Sequence, residues 1–190
     1  MRTINKRRLT GIGVATAAVA LGVSGVGSVA LAAHVTGTAG NDVLQGTPKV
    51  DRIEGRGGDD ILRGLRGDDV LLGGSGDDIM VGGAGSGEDL MFGGKGRDQA
   101  FGGPSFDALY GGPGADTFFG GPGRDTGDLI GRDHVFLGRG NDWMSLLDND
   151  GVRGFVDCGP GHDVVSYLGS IDMHDRWDNC EVLIAENPGD

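Results

Sequence analysis

Aspartate recurs along this chain on a fixed schedule. Asp42, Asp51, Asp60, Asp69 and Asp78 stand nine residues apart, and so do Asp98, Asp107, Asp116 and Asp125. Carboxylates spaced in this way are suited to hold hard cations, which take oxygen ligands in preference to nitrogen or sulfur. They are not spaced like a catalytic pair, because neighbours such as Asp59 and Asp60 share one turn and cannot flank a substrate bond. Neither His-Glu-x-x-His nor Gly-x-Ser-x-Gly occurs in the sequence, so nothing in it points to an enzyme.

The elements that position these acids follow from what surrounds them. A glycine stands five residues before each aspartate, at Gly37, Gly46, Gly55, Gly64, Gly73, Gly93, Gly102, Gly111 and Gly120. Two residues after the aspartate comes a large apolar side chain, as at Leu44, Ile53, Leu62, Leu71, Met80, Leu109 and Phe118. The unit that Gly82 opens, "GGAGSGEDLMF", is two residues longer and keeps Asp89 and Met91 in the same relation. Such a period marks a solenoid, in which each unit buries its apolar side chain only by stacking on its neighbours. The chain has 41 glycines in 190 residues. Scattered, they would suggest disorder; locked to aspartate, they suggest tight turns with positive φ that expose carbonyl oxygens.

The units "GGSGDDIMV" and "GGPGADTFF" resemble the nonapeptide of RTX (hemolysin-type) calcium-binding proteins, and the resemblance runs from residue 37 to about 127. It implies an all-β fold, a parallel β-roll (β-solenoid) with a disulfide-closed C-terminal cap. Six residues of each unit would form a calcium-binding turn and three a short strand. Two units would close one coil, placing Asp42, Asp60 and Asp78 along one edge and Asp51 and Asp69 along the other. The expected calcium ligands are Asp42, Asp60, Asp69, Asp78, Asp89, Asp98, Asp107, Asp116 and Asp125, with turn residues Gly55, Gly58, Gly64, Gly67, Gly73, Gly74 and Gly76. The bland alternative is that these aspartates only cap turns through their own hydrogen bonds.

Several units depart from the pattern. Lys49 stands where a turn glycine belongs and Arg52 follows Asp51, which makes Asp51 a poor site; Ser105 weakens Asp107 in the same way. Ala100 and Gly127 occupy inward positions with little to bury, and the register is expected to break through "LIGRDHVFLG". Fresh copies follow at Asp142 with Met144 and at Asp163 with Val165. Asp59, Asp68 and Asp77 are expected to face solvent.

Residues 1–32 read as an export signal, with Arg2, Lys6, Arg7 and Arg8 before an apolar run that closes on Ala30-Leu31-Ala32. The roll is expected over 33–144, and a last repeat and cap over 145–190, with Trp177, Val182, Leu183 and Ile184 as capping side chains. Removing the signal takes four cations and no acid, moving the formal net charge from −12 to −16. A chain this acidic repels nucleic acid and anionic lipid and asks for counter-ions. Cys158 and Cys180, the only cysteines of an exported chain, are expected to pair. The rival is a soft-metal site with His162 and His174. These readings predict a secreted calcium-binding protein whose roll folds on binding calcium. The alternative is a calcium-stabilised structural or adhesive surface for a protein or glycan partner that the sequence does not identify.

Overall fold

The computed structural model describes residues 33–131, 133–146, 154–168 and 176–186. The expected export signal lies outside them, and so do the side chains of Trp177, Val182, Leu183 and Ile184. Every regular element among the described residues is a β-strand. The first of them are β1 (His34–Thr36), β2 (Val43–Gln45), β3 (Arg52–Glu54), β4 (Ile61–Leu65), β5 (Val70–Ser75) and β6 (Ile79–Gly83). They continue as β7 (Leu90–Lys95), β8 (Gln99–Phe101), β9 (Ala108–Gly114), β10 (Thr117–Pro122), β11 (Thr126–Gly131) and β12 (His134–Arg139). The last are β13 (Trp143–Leu146), β14 (Phe155–Asp157), β15 (Val164–Leu168), β16 (Arg176–Asp178) and β17 (Val182–Glu186).

Odd-numbered strands form one parallel sheet of nine and even-numbered strands a second of eight, each in chain order. Consecutive strands therefore alternate between sheets, and each pair of units closes one coil of a β-solenoid. The inward residue of each strand pairs with its counterpart one coil away: Leu44 with Leu62, Leu62 with Met80, Ile53 with Leu71, and Leu71 with Met91. Successive side chains of a strand point to opposite faces, so each three-residue strand offers the core only its middle residue. Leu44, Ile53, Leu62, Leu71, Met80, Met91, Leu109, Phe118, Val135 and Met144 are essentially buried and form one thin apolar column.

The expected break through "LIGRDHVFLG" is absorbed rather than lost. β11 pairs with β9 through a register shift between Asp128 and Ile130, then with β13. Val135 of β12 enters the core opposite Phe118. At Gly127, which has no side chain to bury, a β-carbon would lie 3.4 Å from the Met144 methyl, so Met144 fills the gap. The strand pairing continues to β17, and the roll ends in a Cys158–Cys180 disulfide with Cα atoms 5.1 Å apart. Both thiols are consumed there, which removes the soft-metal rival.

Outside the core, aromatic rings ride on the same stacking. Phe101, Phe119 and Phe136 of β8, β10 and β12 lie face to face with centroids 4.9 and 5.0 Å apart, and Phe92 stacks on Tyr110 at 4.9 Å. This is the ordinary strand spacing. The facing ring surfaces of these stacks cover each other.

Candidate metal centre

Each repeat aspartate immediately precedes a strand, and the coil turns it inward. Asp42, Asp51, Asp60, Asp69, Asp78, Asp89, Asp98, Asp107, Asp116, Asp125, Asp142 and Asp163 are all buried, none more than 6% exposed. Charged side chains are almost never this buried without a partner. Asp133 joins them at 3%. It falls in the stretch where a break was expected, and only the fragment Gly131-Arg132-Asp133-His134-Val135 hinted at it.

One oxygen of each carboxylate is accounted for. The backbone N–H of Asp60 donates to Oδ1 of Asp78 at 2.8 Å, that of Asp78 to Asp98 at 2.9 Å, and that of Asp98 to Asp116 at 2.9 Å. Along the other edge Asp51 donates to Asp69 at 2.8 Å, Asp69 to Asp89 at 2.9 Å, Asp89 to Asp107 at 2.9 Å and Asp107 to Asp125 at 3.0 Å. These two ladders tie coil to coil. Their step is 18 residues where two nonapeptides make the coil, 20 across the long unit, and 17 or 21 farther on.

The second oxygen is a different matter. Oδ2 of Asp60, Asp69, Asp78, Asp98, Asp107, Asp116, Asp125, Asp142 and Asp163 is buried without a hydrogen-bond partner. In the units that a glycine opens it points at that glycine: a β-carbon on Gly55, Gly64 or Gly73 would overlap Oδ2 of Asp60, Asp69 or Asp78; Leu137 and Cys158 stand at that position before Asp142 and Asp163. The residue after that opening position has one feature in common among them. In all nine orphaned units it has positive φ, at Arg56, Leu65, Gly74, Gly94, Gly103, Gly112, Gly121, Gly138 and Gly159. With that backbone, the Gly103 N–H donates outward to the carbonyl of Gly120 at 2.9 Å instead of back to Asp107.

Burial without compensation raises a carboxyl pKa. Desolvation, reinforced by the carboxylates one coil away, pushes Asp69, Asp78, Asp107, Asp116 and Asp125 up to about 7, and Asp142 to about 6. Asp60, Asp89, Asp98 and Asp163 move the same way, chiefly through desolvation. These groups resist ionisation in the bare roll, and a bound cation removes the obstacle.

The turns supply other oxygens. Gly58, Gly67, Gly74 and Gly76 have φ of 93°, 101°, 116° and 128°. A β-carbon on Gly76 or Gly96 would overlap the carbonyl oxygen of Gly58 or Gly76 one coil earlier. The turn backbones thus stack too closely for a side chain. Ser105, which was expected to weaken its turn, adopts a glycine-like φ of 103°.

Asp59 and Asp77 face solvent, as does Asp68, and carry a second, outer ladder. There the Asp59 N–H donates to Asn41 Oδ1, the Asp77 N–H to Asp59 Oδ1 and the Arg97 N–H to Asp77 Oδ1, each at 2.9 Å. Hydrogen bonds from Arg97 hold the Asp77 carboxyl below its usual range.

The donor set fits calcium. It is all oxygen, it contains buried carboxylate oxygens that lack partners, and peptide carbonyls lie beside them. Among the described residues no group of three or more His, Cys, Asp or Glu side chains comes together, so carbonyl oxygens must complete any coordination shell. The model of the "RTX calcium-binding nonapeptide repeat (4 copies)" family matches residues 36–71, 54–89, 84–100, 92–126 and 129–150. The chain belongs to the RTX calcium-binding repeat family. Its β-roll is a structural calcium-binding module, and calcium is its cofactor. No curated protein matches the chain.

Proposed function

We propose that this RTX roll is a secreted, non-enzymatic calcium-binding protein that is switched into its folded form by calcium. One observation supports this above others: nine buried carboxylates each keep an oxygen without a partner. The ligands are Asp60, Asp69, Asp78, Asp89, Asp98, Asp107, Asp116 and Asp125, continued by Asp142 and Asp163. Peptide oxygens of turn residues such as Gly55, Gly58, Gly64, Gly67, Gly73, Gly74 and Gly76 complete the shells. When bound, calcium supplies the positive charge that lets these acids stay ionised inside the roll.

Without it, burying a row of carboxylates costs more than the thin core returns, and the repeats stay unfolded. Millimolar calcium, as found outside cells, favours the roll by mass action. Export through residues 1–32 and the Cys158–Cys180 disulfide agree with that compartment. The adhesive alternative would draw on exposed aromatics such as Phe106 and Trp143, which lie outside the Phe101–Phe119–Phe136 stack.

Far-UV circular dichroism of the chain from residue 33, titrated with calcium after EDTA treatment, tests the proposal. The strand signal is expected to appear cooperatively with calcium and not with equal magnesium, which prefers octahedral sites and retains its water. A strand spectrum that persists in EDTA at pH 7.5 overturns it.

A further inference from the structure

The first coil differs from the rest of the roll in the residue after its opening glycines. At that position Thr38 and Thr47 stand where positive φ is found in the orphaned units, and neither is in the left-handed region. A β-branched side chain disfavours that region strongly. At both threonines the peptide N–H turns back toward the aspartate of its own unit.

Oδ2 of both carboxylates is then satisfied from within its own unit. The Thr38 N–H donates to Asp42 Oδ2 at 2.5 Å, and the Thr38 hydroxyl donates to the same oxygen at 2.9 Å. The Thr47 N–H donates to Asp51 Oδ2, and its hydroxyl reaches Oδ2 at 3.0 Å and Oδ1 at 3.1 Å. Asp51 Oδ1 also accepts from the Ala33 N–H at 2.5 Å. Asp42 and Asp51 are as buried as their counterparts, at 3% and 2% exposure, yet neither has an orphaned oxygen.

We infer that Thr38 and Thr47 take the place of the ion in the first coil, which makes it a metal-independent end of the roll. Asp42, expected from the sequence to be a ligand, is here a turn-capping acid, and so is Asp51. The peptide N–H and the hydroxyl of each threonine converge on Oδ2, the oxygen left bare in the later units, and occupy the lone pairs that a cation would need there. The roll gains an end whose geometry is set by protein hydrogen bonds, against which the first ion-dependent coil, with Asp60 and Asp69, can stack.

This inference rests on the calcium reading, and the experiment separates the two. Bound calcium is counted by metal analysis after gel filtration in saturating calcium, and Tm is measured in the same buffer. Three double variants are compared with the wild type: D42N/D51N, T38V/T47V and D60N/D69N. The first two are expected to bind as many ions as the wild type and to melt lower, by about 2–4 °C for each lost cap. D60N/D69N is expected to bind fewer. Loss of ions from D42N/D51N, or an unchanged Tm in T38V/T47V, overturns the inference alone. Unchanged calcium in D60N/D69N overturns the calcium reading beneath it.

Discussion

Asp78→Asn separates the two states of the roll, because it acts on them in opposite directions. In the bare roll the Asp78 carboxyl is 1% exposed, its Oδ1 accepts the Asp60 N–H at 2.8 Å, and its Oδ2 has no partner. Asparagine keeps an acceptor for Asp60 and removes the buried charge. Folding without metal moves the pKa from 3.8 to about 7 through desolvation and the carboxylates of Asp98 and Asp60. The sign follows from proton linkage. A group that binds protons more tightly when folded stabilises the fold fully below its unfolded pKa. That contribution disappears as pH rises through about 7. Above that pH the ionised carboxylate costs at most about 4 kcal/mol for such a shift.

At pH 7.5 in EDTA, D78N is therefore expected to roll up at a lower concentration of trimethylamine N-oxide, an osmolyte that favours compact states. In calcium the order reverses. The variant loses a charged ligand, and its folding midpoint is expected to rise about tenfold in calcium, or about 1.4 kcal/mol. Circular dichroism at 218 nm in both titrations gives the two numbers (the wavelength being roughly that of strand absorption). If D78N is less stable than the wild type in EDTA as well, Asp78 is an ordinary structural hydrogen-bonder, and the argument from orphaned oxygens fails.

Two further expectations concern parts of the roll away from the carboxylates. Arg56 and Leu65 hold φ of 79° and 92° where glycine stands in later units. R56G and L65G are each expected to stabilise the calcium-loaded roll by about 1 kcal/mol, read as a higher urea midpoint; a lower midpoint would show that side-chain contacts outweigh backbone strain. Reduction of Cys158–Cys180, whose partners are 22 residues apart, is expected to cost about 3 kcal/mol. Intact mass should rise by about two hydrogens on reduction, and two thiols titrating before reductant is added would refute the bond.

Much of this architecture is legible in the nonapeptide. The apolar column of Leu44, Ile53, Leu62 and Leu71 follows from their place in a unit of nine, and their alternation between two sheets is what the resemblance to the RTX repeat implies. The glycines that face Asp60, Asp69 and Asp78 were named from their spacing alone. Asp133 was not, because a shortened 17-residue coil and the register shift at Asp128 conceal it from a search with a fixed period.

The repeating chain by itself determined the apolar residues of the thin core and the acids that stand at the regular nine-residue step, since these depend on residue type at fixed positions of strand and turn. Only the tertiary structure decided which acids are left with a bare oxygen. That depends on the sign of one backbone angle and on where an N–H points once the next coil is in place. Asp42 and Asp78 read alike in sequence, but Thr38 turns its N–H toward the first, and Gly74 leaves the second without a donor.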